Sequence, residues 1–262
     1  MSLTIAVAYG EDFVLASSDS MVAYVGHDED GNIDQSLVIE AHWKSEKIHP
    51  VSDKVLLCAI GDYFAIEYFR KLLKKRIDSE DDLEKCVEKT MQLIEDIKYD
   101  IEKEIPEKVE KVSPFQWYFL PSLPTCSISL LGFSDDGQAG AAIYNSKTHE
   151  MPISKGLSEK GAYIVFINGP HREVKEYQEL LNLPEDRRTL EDFIQRFLII
   201  HSFLSSKYKN VSSDCNLHAL YKVGDKIEYE YATIETKGLY ERVLLQEQII
   251  ENLNKQVAPK SK

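Results

Sequence analysis

The first sixty residues carry the side chains best suited to nucleophilic chemistry. Ser2 offers a hydroxyl and, once Met1 is removed, a free α-amine on the same residue. Methionine is generally trimmed when the next residue is small, and serine is small. An α-amine titrates near ~8, so a fraction of it is neutral at working pH and can act as a base for the hydroxyl. A nearby cation would lower the pKa of both groups, and Lys47 and Asp19 follow in the same stretch.

Short predicted strands hold these residues. Strands over 3–9 and 13–19 form a hairpin around Gly10-Glu11-Asp12, and the second strand ends on Asp19. Lys47 precedes a buried strand over 55–60 that runs into Gly61. A first strand so close to residue 1 places the amino terminus inside the fold, whereas termini normally lie at the surface.

The ordered set Asp19, Lys47-Ile48-His49 and Gly61 resembles the start of a proteasome β subunit or a bacterial proteasome-like peptidase. Those proteins are N-terminal-nucleophile (Ntn) hydrolases. The resemblance implies that Ser2 is the nucleophile and that its α-amine is the base. It also implies that Lys47 lowers the relevant pKa, that Asp19 holds Lys47, and that the Gly61 N–H binds the oxyanion.

Later parts of the chain match that family less fully. A Gly-Ser-Gly segment, which supplies a helper serine in the family, would fall at Asn168-Gly169-Pro170. Gly169 matches and is assigned to the substrate and oxyanion region, but the helper serine is absent. The family's second aspartate would fall near 210–214, which makes Asp214 a candidate.

The register of the first hairpin leaves the identity of the nucleophile open. Counting back from Asp19 along an uninterrupted hairpin, the family's nucleophile position falls on Leu3, which has no hydroxyl. Ser2 fits only if the hairpin is one residue longer than usual. Thr4 would serve only if the chain began there.

Two further functions fit the same residues. In the first, the chain is a catalytically silent, proteasome-like scaffold that binds partners through its long insertions; the Leu3 register favours this. In the second, it is an amidase or transpeptidase for one specific peptide, because the loops at 20–46 and 113–124 would narrow the mouth of the site. Retention of Met1 would exclude catalysis, since a blocked Ser2 amine cannot act as a base.

Composition narrows the range of partners. The formal net charge of −13 at pH 7 argues against sequence-independent binding to nucleic acid and against binding to an anionic membrane. No apolar run approaches the roughly 20 residues of a membrane span, since the best one, 193–203, is interrupted by polar residues. We therefore expect a peptide or protein substrate, no cofactor, a homo-oligomer or ring, and a cytoplasmic location.

Neither a metal site nor a disulfide framework is expected. Cys58, Cys86, Cys126 and Cys215 form no C-x-x-C pair, and three of them lie in strand-like runs typical of core residues. The acidic turn at 26–32 hints at a calcium loop but lacks the terminal glutamate of that motif.

The order of elements predicts an α+β fold. Strands come as hairpins, followed by helices over 63–77 and 83–105, more strands, a helix over 172–183 and a helix that begins at the capping box Thr189-Leu190-Glu191-Asp192. A final hairpin precedes an amphipathic helix at about 240–256. The resemblance implies one domain over 1–262, a four-layer α/β/β/α sandwich of two antiparallel sheets, with insertions at about 20–46 and 105–124.

Overall fold

Two five-stranded antiparallel sheets and one two-stranded hairpin contain the strands of the computed structural model. It describes residues 3–27, 33–61, 63–104, 126–155, 163–168, 180–208, 211–243 and 246. The strands are β1 Thr4–Tyr9, β2 Phe13–Asp19, β3 Met21–His27, β4 Ile33–Lys44, β5 Ile48–Pro50, β6 Val55–Ile60, β7 Ser127–Phe133, β8 Ala139–Ile143, β9 Ile153–Lys155, β10 Tyr163–Asn168, β11 Asp214–Val223 and β12 Lys226–Glu235.

The first sheet has the strand order β10-β1-β2-β11-β12, and the second has the order β5-β6-β7-β8-β9. β1 and β2 pair with Thr4 opposite Ser18 and Tyr9 opposite Phe13, so Gly10-Glu11-Asp12 is the turn between them. Within the insertion at 20–46, β3 and β4 pair as an antiparallel hairpin.

Three helices of the described chain are α1 (Tyr63–Leu73), α2 (Leu83–Glu104) and α3 (Leu190–Lys207). α1 ends four residues before the predicted boundary, and residues 74–76 form a turn. The capping prediction for α3 is confirmed, since the Thr189 side chain accepts a hydrogen bond from the Asp192 amide at 3.1 Å. That bond satisfies one of the amides that a helix start leaves unpaired.

Three buried apolar clusters hold the elements together. One lies between the sheets, because it joins Ala6 and Val14 of the first sheet to Leu56 and Leu131 of the second. A second cluster combines β6 and β7 with α1 and α2. The third combines β1, β2 and β11 with α3. The expectation of two antiparallel sheets in an α+β sandwich is therefore confirmed.

Some predicted features lie outside the described residues. They are the insertion at 105–124 with its aromatic loop, most of the helix predicted over 172–183, and most of the helix predicted over 240–256. Residues 239–243 and 246 are helical, so the last helix starts within one residue of the predicted position.

Candidate functional site

A buried ion pair at the end of β2 is the centre of the candidate site. The Lys47 ammonium donates a hydrogen bond to Asp19 Oδ1 at 2.6 Å. Asp19 is 0% exposed and Lys47 is 7% exposed. Burying two charges costs several kcal/mol per ion unless they are paired and hydrogen-bonded. The two residues predicted to interact are therefore brought together, and they are shielded from water.

The ends of two neighbouring strands position this pair. Asp19 is the last residue of β2, and Lys47 directly precedes β5. The Ala59 amide donates to the Lys47 carbonyl at 3.0 Å, so β6 fixes the lysine backbone. The charged pair thus lies where the first and second sheets meet.

The backbone of Leu3 completes the environment of Asp19. The Leu3 amide donates to Asp19 Oδ1 at 2.8 Å, and the Asp19 amide donates to the Leu3 carbonyl at 3.3 Å. Leu3 therefore lies opposite Asp19, one pair beyond Thr4 and Ser18. The hairpin is not one residue longer, so the residue in register with the acid is Leu3, whose side chain is fully buried.

Ser2 and Gly169 lie outside the described residues. Ser2 is joined by a peptide bond to Leu3, whose amide nitrogen contacts Asp19. Thr4, the other candidate hydroxyl, is fully buried and has no hydrogen-bond partner among the described residues.

Gly61 directly follows β6 and has a backbone conformation that suits glycine. Its φ of +147° is one that residues with a Cβ rarely adopt. A Cβ there would lie 2.5 Å from the Cys126 sulfur, so the site has no room for a side chain. Because Lys47 faces Ala59, Gly61 lies about 7 Å further along the strand, at ~3.4 Å per residue.

A second polar group adjoins the pair. The Ser20 amide donates to Ser212 Oγ at 3.1 Å, and Ser20 Oγ donates to Asp214 Oδ2 at 3.4 Å. Asp214, the loosely placed candidate of the sequence, therefore contacts the residue next to Asp19. Ser20 and Ser212 were missed, since isolated serines in loop-like sequence have no distinguishing pattern.

A buried histidine on the α3 side was also missed as a neighbour of the site. His201 Nε2 lies 3.0 Å from Ser17 Oγ, and both residues are fully buried. Ser17 precedes Asp19 by two residues, so both side chains point to the same face of β2. The signal in the sequence was a histidine within the apolar run of a helix.

The electrostatics of the group keep its charge balanced. Burial lowers the pKa of Lys47, and the contact with Asp19 opposes that shift. Burial lowers the pKa of His201 to about 4, with Asp19 opposing and Lys47 adding to the effect, so the imidazole is neutral at pH 7. His201 therefore adds no charge beside the Lys47–Asp19 pair at pH 7.

This arrangement can influence a neighbouring base or hydroxyl. An ammonium has three N–H donors, and Asp19 is the one hydrogen-bond partner that the described residues offer the Lys47 ammonium. Donors therefore remain for a group beside the ion pair. A cation in such a position lowers the pKa of a neighbouring amine or hydroxyl.

The described residues contain no group of three or more histidine, cysteine or acidic side chains placed to hold a metal ion. The four cysteines are free and buried. Burial raises the pKa of the Cys86 thiol to about 12, with Ser52 opposing, so this sulfur is a poor nucleophile.

Comparison with known proteins gives a likeness of fold. No family model matches the chain, and no curated protein matches it. Among solved structures, the chain is similar to one described as the helical assembly of the Anbu complex from Pseudomonas aeruginosa. The TM-score is 0.61 at 12% identity, over 99% of this chain and 98% of that chain. At this identity the likeness shows the fold alone, and 538 solved chains match.

These findings correct the family assignment drawn from the first sixty residues. The chain is not shown to be a proteasome β-subunit-like Ntn hydrolase, because no family model matches and the structural neighbour is the Anbu complex at 12% identity. The physical reason lies in the register. The motif predicts a hydroxyl opposite Asp19, whereas that position is occupied by the buried Leu3. An acid, a lysine and a glycine at strand ends are too common to define a family.

In the helices that the structure describes, there is no segment both long and apolar enough to span a membrane.

Proposed function

We propose that this protein cleaves or transfers amide bonds through the hydroxyl of Ser2, exposed by removal of Met1. The buried Lys47–Asp19 pair carries the proposal, because Leu3, the residue after Ser2, donates its amide to the same carboxylate. A folded chain keeps an ion pair this dry only where its neighbours compensate the lost hydration. Lys47 retains donors that a terminal amine, a serine hydroxyl or a substrate can use.

The proposed reaction has two steps. Ser2 Oγ attacks the carbonyl carbon of the substrate, and its proton passes to the α-amine of the same residue. The amide C–N bond breaks, the leaving amine takes that proton, and an ester to Ser2 remains. Water or a second amine then attacks the ester and restores the hydroxyl. In this proposal the Gly61 N–H, on the exposed end of β6, stabilises the oxyanion.

Each polar residue has a stated role in this proposal. Lys47 keeps the α-amine partly neutral at pH 7, since two cations in one dry site repel each other. Asp19 holds the Lys47 ammonium at 2.6 Å. Gly169 is proposed to lie in the substrate and oxyanion region, as its sequence position suggests.

Intact mass spectrometry with an electrophilic probe for terminal serine or threonine tests the proposal. We expect a mass that lacks Met1 and a single adduct that is lost in Ser2→Ala. Thr4→Val is the matched control: the Thr4 hydroxyl has no partner among the described residues, so its removal should leave both stability and the adduct unchanged. An adduct lost in Thr4→Val but kept in Ser2→Ala would transfer the role to Thr4.

A catalytically silent scaffold is the second candidate. The observation that favours it is the buried leucine opposite Asp19, where a hydroxyl would be best placed. A retained Met1 and no adduct would support this function and refute catalysis.

We also propose that the chain forms a homo-oligomer. The support is the fold likeness to a structure described as a helical assembly. The three apolar clusters support the finer α/β/β/α layer order, since α1 and α2 contribute to one outer cluster and α3 to the other. Sedimentation velocity over a concentration series tests assembly.

A cytoplasmic location is proposed because the cysteines of this chain are free thiols. The four cysteines are free thiols in buried positions. Reducing compartments keep thiols free. Localisation of a tagged chain by microscopy, with a tag at the carboxyl terminus so that Ser2 is not blocked, tests this.

A further inference from the structure

His201 and Ser17 form a buried polar contact that the proposed reaction does not use. His201 lies in α3 and Ser17 lies in β2, and both side chains are fully buried. His201 Nε2 and Ser17 Oγ are 3.0 Å apart. Ser17 Oγ also donates to the Ile5 carbonyl of β1 at 3.5 Å. The contact therefore links α3 to both strands of the first hairpin.

The direction of these hydrogen bonds depends on which imidazole nitrogen carries the proton. Burial lowers the pKa of His201 to about 4, so the ring is neutral at pH 7 and one of its nitrogens is a donor. Nδ1 is buried and has no hydrogen-bond partner among the described residues. A proton on Nδ1 would leave a buried N–H unpaired, whereas a proton on Nε2 reaches Ser17 Oγ. The arrangement that uses every donor therefore runs from Nε2–H to Ser17 Oγ, and from the Ser17 O–H to the Ile5 carbonyl.

This chain of hydrogen bonds lies close to the beginning of β1. Ser17 and Ile5 are opposite each other in the pairing of β1 with β2. Leu3 and Asp19 lie two pairs further along the hairpin, where the Leu3 amide donates to Asp19 Oδ1 at 2.8 Å. Two residues of a strand span about 6.8 Å. A bond that fixes Ile5 against Ser17 therefore also limits the movement of Leu3 beside Asp19.

The hydrogen bonds add direction to an apolar interface. Apolar side chains pack α3 on this hairpin, among them Phe197 and Ile200. Apolar burial is non-directional, whereas a hydrogen bond has a preferred length and angle. A buried polar group is also costly when it loses its partner, so a satisfied polar contact specifies one arrangement of the core. His201 and Ser17 can therefore set the position of β1 more exactly than the packing alone.

We propose that His201 is a positioning residue for the amino-terminal nucleophile. It holds the Ser17 hydroxyl, which holds the backbone of β1 at Ile5. The residues before Ile5 are thereby kept beside the Lys47–Asp19 pair. The inference rests on the proposed function, since a positioned hydroxyl has a use only if Ser2 reacts. A displacement of about 1 Å from the reactive geometry can lower a rate about 100-fold.

Two substitutions at position 201 separate the hydrogen bond from the packing. His201→Leu fills the space without a donor, whereas His201→Gln keeps an N–H near the position of Nε2. We expect the electrophilic probe to label Ser2 about 10–100-fold more slowly in His201→Leu. The labelling rate of His201→Gln should stay close to that of the unaltered protein. Circular dichroism melting verifies that each variant is folded under the labelling conditions.

Ser17→Ala is a smaller change that tests the same chain of hydrogen bonds. It should slow labelling to a similar extent as His201→Leu. The double variant should be no slower than either single variant, because both changes break one connection.

His218→Leu is the matched control. His218 is another buried histidine with one hydroxyl contact, since its Nδ1 lies 2.9 Å from the Tyr229 hydroxyl. It is opposite Ala16 in the pairing of β11 with β2, so it lies on the face of the sheet that Ser17 does not share. This variant should lose stability and keep the labelling rate of the unaltered protein.

Amide hydrogen exchange, followed by NMR, reads the position of β1 without any reaction. The Leu3 amide donates to Asp19, and the Ala59 amide, which donates to the Lys47 carbonyl at 3.0 Å, is the reference in the second sheet. In His201→Leu the Leu3 amide should exchange faster relative to the Ala59 amide. In His201→Gln the ratio of the two rates should stay unchanged. A general loss of stability would instead speed up both amides.

The two measurements distinguish failure of the inference from failure of the proposed function. If the unaltered protein forms no adduct, the proposed function fails, and the exchange of the Leu3 amide alone decides whether His201 fixes the start of β1. If the adduct forms and folded His201→Leu keeps both the labelling rate and the exchange ratio, the function stands and the positioning role is overturned. Equal losses in His201→Leu and His201→Gln would also overturn it, because the hydrogen bond would then not be the cause.

Discussion

Breaking the Lys47–Asp19 pair should be among the most costly single changes in this chain. In Lys47→Met, the Asp19 carboxylate keeps the Leu3 amide but loses its counter-charge in a site where it is 0% exposed. Removing one partner of a buried pair typically costs about 3–5 kcal/mol of unfolding free energy. Since small domains are stable by about 5–15 kcal/mol, the midpoint of urea unfolding should fall substantially.

The stability of the Asp19→Asn variant should depend on pH. Asp19→Asn leaves a buried ammonium whose pKa burial already lowers. The unfolded lysine, with an ordinary pKa of 10.5, binds its proton more tightly than the folded one, so the stability of Asp19→Asn should rise with pH.

The double variant Asp19→Asn with Lys47→Met closes a double-mutant cycle. It removes both charges, so its loss should be smaller than the sum of the single losses by about 2–3 kcal/mol. Arg76→Met is the matched control, because Arg76 and Asp96 form a pair at a similar distance of 2.8 Å and are 36% and 53% exposed. An exposed pair should cost at most about 1 kcal/mol. Single losses below that value, adding without coupling, would refute the idea that the Lys47–Asp19 pair is buried and dry.

Three other outcomes follow from the described residues. The pKa of His201 is about 4 in the folded chain and 6.5 in the unfolded chain, so the unfolding free energy should fall by about 3 kcal/mol as pH drops from 6.5 to 4. In urea titrations at several pH values, His201→Phe should flatten this dependence on pH. Gly61→Ala forces a Cβ against Cys126 at an unfavourable φ, so it should lower the unfolding free energy by about 1–3 kcal/mol and weaken probe labelling at Ser2. If neither value changes, the close approach of Gly61 to Cys126 is contradicted. The four buried thiols should react with a thiol reagent slowly in the native protein and rapidly in denaturant; fast native labelling would contradict their burial.

Local patterns predicted much of the secondary structure. β2 and β6 have the bounds expected from sequence, because apolar runs ending at Asp19 and Gly61 have clear limits. The start of α3 was also predictable, since a capping box is a local signal. The pairing of β1 with β10 was not predictable, because it joins residues more than 150 positions apart and depends on the whole sheet.

The candidate site was predicted in part for the same reason. The structure brings Asp19 and Lys47 together as the resemblance implied, and each of them ends or precedes a strand that is recognisable in the sequence. His201 and Ser212 were not linked to them, since helix packing and a loop contact bring them close, and neither leaves a local pattern. The register at Leu3 was counted correctly from the turn, but the alternative with a longer turn stayed open until the pairing of β1 with β2 was known.

The Lys47–Asp19 pair bears differently on the two candidate functions. A buried ion pair is weak evidence for stability, because well-packed apolar residues of similar size often stabilise a core as well or better. A scaffold would therefore gain little from Lys47 in this position. In the proposed function, the ammonium donors that Asp19 leaves unused act on a group that must lose a proton. The leucine opposite Asp19 favours the scaffold instead. The Leu3 amide already donates to the Asp19 carboxylate, so a nucleophile at residue 2 would have to act from beyond that contact. Lys47→Met therefore tests the catalytic role directly: a catalyst should lose probe labelling under conditions where the variant is still folded, whereas a scaffold gives no adduct before or after the change.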